Sequence, residues 1–430
     1  MRLELALKQA VIEAGFDLAG IAPVGIREDL DFSRRWVEQG FGGEMWYLED
    51  PKRADPRALL PEAKSVICVG LVYNAPLPYS TEAERRESET WSPEKEPARG
   101  ARRNPDSELR RSSPEPRAWI SRYAWGRDYH EVMRSKLEAL RAQIERIAPG
   151  TETRVYVDTG PIVERAFARY SGIGWMGKNT CLINERKGSW FFLGVLLTTL
   201  ALEPDLPAPD RCGSCTRCIE ACPTGALDPP YIMNASRCIA YFTIELKGAI
   251  PAEFRAAIGN NVFGCDICQD VCPWNRGSQN VETASSPREN SLGRQRPAFS
   301  HRLKSRGAGK AGAAITSLPE FRPLEISLIN GPQPEPETRH LKTEAFSLFN
   351  PRLEDLAAMS EDDFRRVFAR SPVKRAKYRG WLRNLCVAMG NSGDQRFVPR
   401  LRELAACPDP ILREHAHWAL ERLQLSAEQG

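Results

Sequence analysis

The cysteines between positions 212 and 272 carry the plainest chemistry in the chain. Cys212, Cys215, Cys218 and Cys222 are followed by Pro223, a C-x2-C-x2-C-x3-C-P run. Cys265, Cys268 and Cys272 are followed by Pro273, a C-x2-C-x3-C-P run, and Cys238 stands alone between the two. Eight of the 12 cysteines thus fall within 61 residues. The first spacing is that of bacterial two-cluster ferredoxins, in which the fourth cysteine ligates the other cluster. On that pattern Cys212, Cys215, Cys218 and Cys272 hold one [4Fe–4S] cluster, and Cys222, Cys238, Cys265 and Cys268 hold the second. Cys238 replaces the absent first cysteine of the second run, so the 27-residue step to Cys265 must fold back. A disulfide framework suits a short secreted chain, whereas this one has 430 residues. Paired zinc knuckles do not produce the C-x2-C-x2-C-x3-C-P run. Two clusters at ferredoxin-like spacing pass single electrons, and something else must receive them.

A second stretch of chemical interest runs from Val155 to Asn184. Asp158 follows a predicted strand, with Thr159 and Gly160 as the turn and Pro161 at a first helical position. The pattern reads as a helix-capping carboxylate. It reads equally as a ligand-crevice residue, because open α/β sheets bind at the carboxyl ends of their strands. A carboxyl raised by burial there serves as a general acid. Gly172, Gly174 and Gly177 form a loop whose backbone can approach a flat ligand, with Lys178 and Asn179 as polar heads; such a loop is as readily a plain turn.

The elements that must position these residues are legible in outline. A helix is predicted over Leu3–Ala14 and a short strand and turn over Gly15–Val24. Ser65–Tyr73 is a continuous apolar, β-branched run, the mark of a strand buried on both faces. Residues 80–117 have almost nothing to bury and read as an exposed, mobile insertion. A strand-like piece precedes Tyr129, then come a helix from His130 to Ile147, a strand over Thr153–Val157 and a helix from Pro161 to Tyr170. Trp190–Thr199 is another buried strand. These imply an α/β domain over 1–205, a sheet sandwiched by helices, ahead of a two-cluster ferredoxin-like domain over 206–276. Residues 277–345 read as a linker or insertion, and 346–430 as an all-α domain. Segments starting at Arg379 and Arg413 lie 34 residues apart and align Leu382 with Ala416, Leu385 with Ala419, Cys386 with Leu420 and Met389 with Leu423. That period reads as a HEAT or armadillo repeat, with a plain helical bundle as the alternative.

Bulk properties bound the rest. A net charge of +4 does not force a nucleic-acid partner. No apolar run approaches the roughly 18 residues a membrane span needs. Met1–Val24 has neither a secretory nor a twin-arginine pattern, so a cytoplasmic setting is expected, where thiolates stay reduced.

The motifs VDTGPIVERA, SGIGWMGKNTCLIN, CGSCTRCIEACPTGAL, RCIAYFTIE and FGCDICQDVCPWN together resemble the epoxyqueuosine reductase family, cobalamin-dependent iron–sulfur enzymes that act on tRNA. The resemblance covers most of 1–280 and resumes at SPVKRAKYRGWLRNLCVAMGN from Ser371; the insertions 80–117 and 277–343 depart from it. It implies a cobalamin in the N-terminal domain without the D-x-H-x-x-G signature of a histidine axial ligand, which Asp128-Tyr129-His130 does not match. It implies Asp158 as proton donor and cofactor contact. Arg53, Ser121, Gly177, Lys178, Asn179 and Thr180 match positions near the corrin, with relatives able to carry Cys in place of Ser121. It implies deoxygenation of the epoxide of a modified wobble nucleoside in tRNA, the last step of queuosine formation, with an external reductant of flavodoxin or ferredoxin type and a monomeric enzyme. Lys374, Arg375, Lys377, Arg379 and Arg383 are the candidate tRNA contacts, a solvated helix face being the alternative. A surface charge is the alternative for Arg53, and a solvated turn for Lys178 and Asn179. Cys68, Cys181, Cys386 and Cys407 read as packed apolar residues. His130 reads as pocket lining or a capping or packing residue, and Trp274 as a cluster shield. A reductive dehalogenase-like enzyme or a pure electron-transfer protein remain the competing functions.

Overall fold

The computed structural model of the chain describes residues 2–83, 115–276, 313–326 and 346–428. Most of the two insertions lies outside them. The parts that are described are packed. Ser80 is buried and donates to Asp270, and Phe321 is 2 % exposed against Phe192. Residues 313–326 therefore form a strap on the sheet domain and not a bare linker, tied by Thr316 N–H to Asn74 O and Arg127 N–H to Glu320 O.

The elements that matter to the site are α1 (Leu3–Glu13), β1 (Leu18–Pro23), β2 (Ser65–Val72), β3 (Trp119–Ile120), α2 (Tyr129–Ile147), β4 (Thr153–Tyr156), α3 (Glu164–Tyr170), β5 (Phe191–Thr198) and β6 (Asn261–Phe263). In the tail come α4 (Lys377–Asn391), α5 (Val398–Ala405) and α6 (Pro410–Glu428).

The main sheet has the order β1-β2-β5-β4, and every neighbouring pair is antiparallel. Strand alternation divides β2 between two cores. Ile67, Val69 and Leu71 face α1 and α2, packing with Leu7, Val11, Leu137 and Leu140. Val66, Cys68 and Val72 face α3, packing with Ala166 and Phe167. Both faces are covered, so β2 is apolar at nearly every position although no strand of this sheet runs parallel to its neighbour. Gly194 on β5 leaves room for this layer, since a Cβ there would lie 3.0 Å from Leu137 Cδ1. Cys68 is a buried apolar residue as expected, its thiol pushed up to about 12 by burial.

The two-stranded parallel pair β3 with β6 joins the N-terminal domain to the cysteine-rich region. One apolar core runs from Trp119 and Trp125 through Val262 and Phe263 into Trp381, Leu385 and Met389 of the tail. The paired positions of the 34-residue period meet in this core. Leu382, Leu385, Cys386 and Met389 on α4 and Ala416, Ala419 and Leu423 on α6 are all buried. The crossing is tight at Gly390, where a Cβ would lie 2.8 Å from Ala419 Cα. No helix among the described residues is long and apolar enough to cross a membrane.

His415 fastens α6 to the cysteine-rich region. Its Nε2 accepts from Ile250 N–H at 3.1 Å and its Nδ1 lies 2.7 Å from Ile411 O. Burial and the nearby Arg255 charge hold its pKa down to about 4. The group is neutral in the folded chain, so its contribution is complete above about pH 6.5, the usual histidine value. It is lost as pH falls toward 4, because the unfolded chain binds the proton first. His415→Gln is expected to remove up to roughly 3 kcal/mol of acid-induced destabilisation between pH 6.5 and 4. Melting curves across that range check it, and an unchanged acid slope contradicts it.

Candidate active site

Asp158 does not cap a helix. It precedes the first residue of α3 by six positions and sits at φ 54, in the left-handed region that few non-glycine residues adopt. Nor does the crevice rule for parallel sheets place it, because β4 is antiparallel to β5. What holds it is the turn between β4 and α3, and Arg53 braces that turn: its guanidinium donates to Gly160 O at 3.2 Å, Ile162 O at 3.3 Å and Tyr47 O at 3.4 Å. Arg53 is therefore a loop anchor and not a loose surface charge.

The Asp158 carboxylate opens into a cavity of about 330 Å³. Tyr73, Tyr123, Tyr129, Phe191 and Phe192 form its aromatic walls, and Asp158, Glu164 and Arg165 supply its charged groups. Tyr129 O–H donates to Asp158 Oδ2 at 2.9 Å, and His130 Nε2 lies 3.3 Å from the same oxygen. The packed walls around Asp158 push its pKa up although its side chain is 64 % exposed, but the hydrogen bond and charge of His130, with Tyr129, outweigh this and hold the carboxyl below its usual value. The expectation of a carboxyl raised by burial is thus corrected: without substrate Asp158 is the ionised partner of a protonated imidazole. Burial, followed by the Asp158 charge, moves Glu164 the other way, to about 7. Its Oε1 is buried with no protein partner. Sequence reasoning missed Glu164, Arg165, Tyr123 and Tyr129. The run VER after the Asp158 turn marked Glu164 and Arg165 and DYH at the start of α2 marked Tyr129, while nothing local marked Tyr123.

The cysteine loops lie against the other side of this region. Neighbouring thiols fall into two sets. Cys218 feels Cys215 and Cys212, Cys272 feels Cys212 and Cys218, and Cys181 stands between the sets, acting on Cys218, Cys272, Cys238 and Cys268. Cys238 feels Cys222, Cys265 feels Cys238 and Cys222, and Cys268 feels Cys265 and Cys238. Backbone N–H groups of Ala240 and Tyr241 point at Cys238 sulfur, that of Ile267 at Cys265 and that of Trp274 at Cys272. Such donors stabilise thiolates that bind metal. Burial, followed by the neighbouring thiols, pushes Cys218 up to about 11. Burial also puts Cys272 at about 12. The sites suit a multiply charged group that would ionise them together. No three His, Cys, Asp or Glu among the described residues converge on a single-ion site.

The Gly177–Cys181 turn touches both sets. Lys178 Nζ donates to Gly213 O at 2.7 Å and Cys215 O at 3.0 Å, while Asn179 Nδ2 donates to Cys268 O at 3.3 Å. These side chains anchor cysteine loops, so neither the solvated turn nor a free polar head describes them. Gly177 N–H and Thr180 N–H close the turn, and Thr180 O accepts from Arg165. Cys181 lies against Cys268 and is not a mere apolar filler. Trp274 packs edge-on to Trp175 at 4.9 Å beside Cys212 and Cys272.

Ser121 is buried, and its Oγ donates to Asp266 Oδ1 at 2.5 Å. Asp266 Oδ2 accepts from Arg122 N–H at 2.7 Å and Trp119 Nε1 at 3.0 Å. Ser121 thus serves the loop between Cys265 and Cys268.

Among the basic residues, Lys374, Arg375 and Arg379 are about half exposed and pair with Asp128, Glu245 and Asp409. Lys377 is exposed. Arg383 is 2 % exposed and donates to Leu246 O, Gly248 O and Phe242 O, so its proposed phosphate contact is withdrawn.

Residues 211–275 match the family model described as a 4Fe-4S double cluster binding domain. With the acid-floored cavity beside it, this defines an iron–sulfur oxidoreductase. Residues 53–159 match the model described as "Epoxyqueuosine reductase QueG, DUF1730". The chain is 42% identical to the epoxyqueuosine reductase of Synechocystis sp., over 83% of this chain and 95% of that one. It is 36% identical to that of Pseudomonas aeruginosa, over 98% and 94%. It superposes with a TM-score of 0.70 and 29% identity on a crystal structure of epoxyqueuosine reductase with an epoxyqueuosine-modified tRNA-Tyr stem loop, covering 100% of this chain and 94% of that one. The Bacillus subtilis epoxyqueuosine reductase with its catalytic loop swung out of the active site gives a TM-score of 0.69 at 28% identity, over 100% and 94%. The chain belongs to the epoxyqueuosine reductase family.

Asp266→Ala strands three buried donors, those of Ser121, Trp119 and Arg122. It is expected to cost about 3 kcal/mol or more and to lower the iron bound by the adjacent loop. Iron analysis with a melting curve checks this, and wild-type values for both contradict it.

Proposed function

We propose that the chain reduces epoxyqueuosine to queuosine at the wobble position of tRNA, using two [4Fe–4S] clusters and cobalamin, with Asp158 as proton donor. The observation that carries this reading is the ionisable Asp158 carboxylate on the cavity side of an element whose next turn anchors both cysteine sets. Cys212, Cys215, Cys218 and Cys272 would hold one cluster and Cys222, Cys238, Cys265 and Cys268 the other, in keeping with the two sets of neighbouring thiols.

The cavity suits a corrin by its chemistry: flat aromatic walls for a planar macrocycle, with protonated phenols and unpartnered Glu164 Oε1 for its polar rim. Bound cobalamin would supply a low-valent cobalt able to reduce a strained ring, and the clusters would supply its electrons one at a time. The chain's residues do the rest. The epoxide carbon–oxygen bonds break, an alkene forms, and the oxygen leaves as water after taking two electrons and two protons. Asp158 gives a proton to the departing oxygen, which would otherwise leave as a costly alkoxide. Arg53 fixes the turn that aims it. Tyr129 stays protonated, burial and Asp158 raising its pKa, and orients the carboxyl.

Lys374, Arg375, Lys377 and Arg379 present charge for the tRNA backbone, and the wobble base would be splayed out of the anticodon loop to enter the cavity. The reductant is of flavodoxin or ferredoxin type, and the helical tail is a HEAT-like repeat unit. The acid floor of the cavity favours an enzyme over a pure electron carrier, and family membership favours tRNA over an organohalide.

Turnover of hypomodified tRNA by reconstituted protein, followed by nucleoside digestion, tests the assignment. Asp158→Asn is expected to lower the rate by about 100-fold or more while corrin absorbance and iron content stay at wild-type levels. Full activity in that variant removes Asp158 from its role.

A further inference from the structure

The departing oxygen needs two protons, and the ionised Asp158 with its protonated imidazole holds one. The second must reach Asp158 within the same turnover. The structure provides a route behind it. His130, near the N-terminus of α2, has Nδ1 2.7 Å from Asp128 Oδ1 and Nε2 3.3 Å from Asp158 Oδ2. Its ring stacks on Tyr129 at 4.1 Å, and Tyr129 in turn stacks on Phe192 at 4.3 Å, so it has little freedom to turn away. Its side chain keeps 26 % exposure, enough to meet solvent.

We propose that His130 is a positioning residue that reprotonates Asp158 within a single turnover. The proposal rests on the reading of Asp158 as the proton donor. The imidazolium gives its Nε2 proton to Asp158 Oδ2 as Asp158 passes a proton to the departing oxygen, and the ring becomes neutral, keeping Nδ1–H on Asp128. The imidazole regains a proton from solvent and hands it on by the same route, and the oxygen leaves as water. A last proton from solvent restores the imidazolium. No electron moves in these steps.

The charged groups around the ring agree with this. Asp128 is buried and also accepts from Lys374 Nζ at 2.7 Å, so it stays an anion facing the imidazole. Glu131 on the same helix is engaged by Arg127 and Arg370 and does not compete for the ring. From the cavity side come Asp158 and the Tyr129 hydroxyl. Burial lowers the pKa of His130, but Asp128 and Asp158 more than offset it and raise it to about 9. The ring therefore holds its proton throughout the neutral range, giving it up only as Asp158 passes a proton to the departing oxygen.

Two measurements on the full, cluster-loaded chain test the relay. In histidine-selective ¹⁵N NMR, one imidazole of the wild type should titrate near pH 9 and be missing in His130→Gln. Its midpoint should fall by about one unit or more in Asp128→Asn. A midpoint near the ordinary histidine value overturns the proposal, whatever Asp158 does. In single-turnover assays at pH 8, His130→Gln should slow product formation by about 100-fold and recover toward pH 5, where Asp158 takes protons from water unaided. A uniform loss at every pH, with iron and corrin retained, also overturns it. Activity in Asp158→Asn overturns the donor reading instead, and leaves the NMR result standing.

Discussion

The buried carboxylate of Asp266 is the interaction on which the arrangement depends. It lies between Cys265 and Cys268 and is 2 % exposed. Such a group costs several kcal/mol to bury unless it is fully hydrogen-bonded. Ser121, Trp119 and the Arg122 backbone N–H supply the donors, all from β3 and the residues just after it. The Arg122 side chain extends the tie by donating to Ala75 O, Leu77 O and Pro78 O and lying 4.5 Å over the Trp125 ring. A loop that must hold metal is thereby fixed to the edge of the sheet domain.

Three further ties turn this contact into a working geometry. Lys178 and Asn179 grip the two cysteine sets from the turn after β4 and α3, so the element carrying Asp158 and the element carrying the thiols move as one. Arg53 sets the Asp158 turn from the opposite side. The helical tail is bolted on by Arg383, whose guanidinium satisfies carbonyls from Phe242 to Gly248 at the end of the segment holding Cys238. Its burial lowers even the arginine pKa, to about 10. The neighbouring Lys374 spans from the tail to Asp128, which places one basic residue of the tail two hydrogen-bonded groups away from Asp158.

The sequence made some of this plain and hid the rest for physical reasons. Cysteine spacing is local information, and it marked the region that matches a 4Fe-4S double cluster binding domain. Ser65–Val72 was legible because covering both faces demands apolar residues at every position. That same run could not disclose strand direction, since burial on both faces leaves an antiparallel strand with the composition usual for a parallel one. Asp158 was legible as a residue but not in its setting. A carboxylate after a strand and before a Pro looks like a cap, and only the φ of 54 shows otherwise. Arg383 and Lys374 lie in one basic run, yet one is a core residue and the other a surface residue, a difference set by helical phase against α6 and the cysteine region. Ser121 and Arg53 owe their roles to contacts with Asp266 and Gly160, more than 100 positions away.

The central claim is that the cysteine loops and the Asp158 cavity form one redox centre. Continuous-wave and pulsed EPR on protein reconstituted with both cofactors, with a reduced cluster and cob(II)alamin present together, test it most directly. The account predicts magnetic coupling between the two spins, seen as splitting or faster relaxation of the cobalt signal, and its loss when the corrin is omitted. Two unperturbed, independently relaxing signals would contradict it.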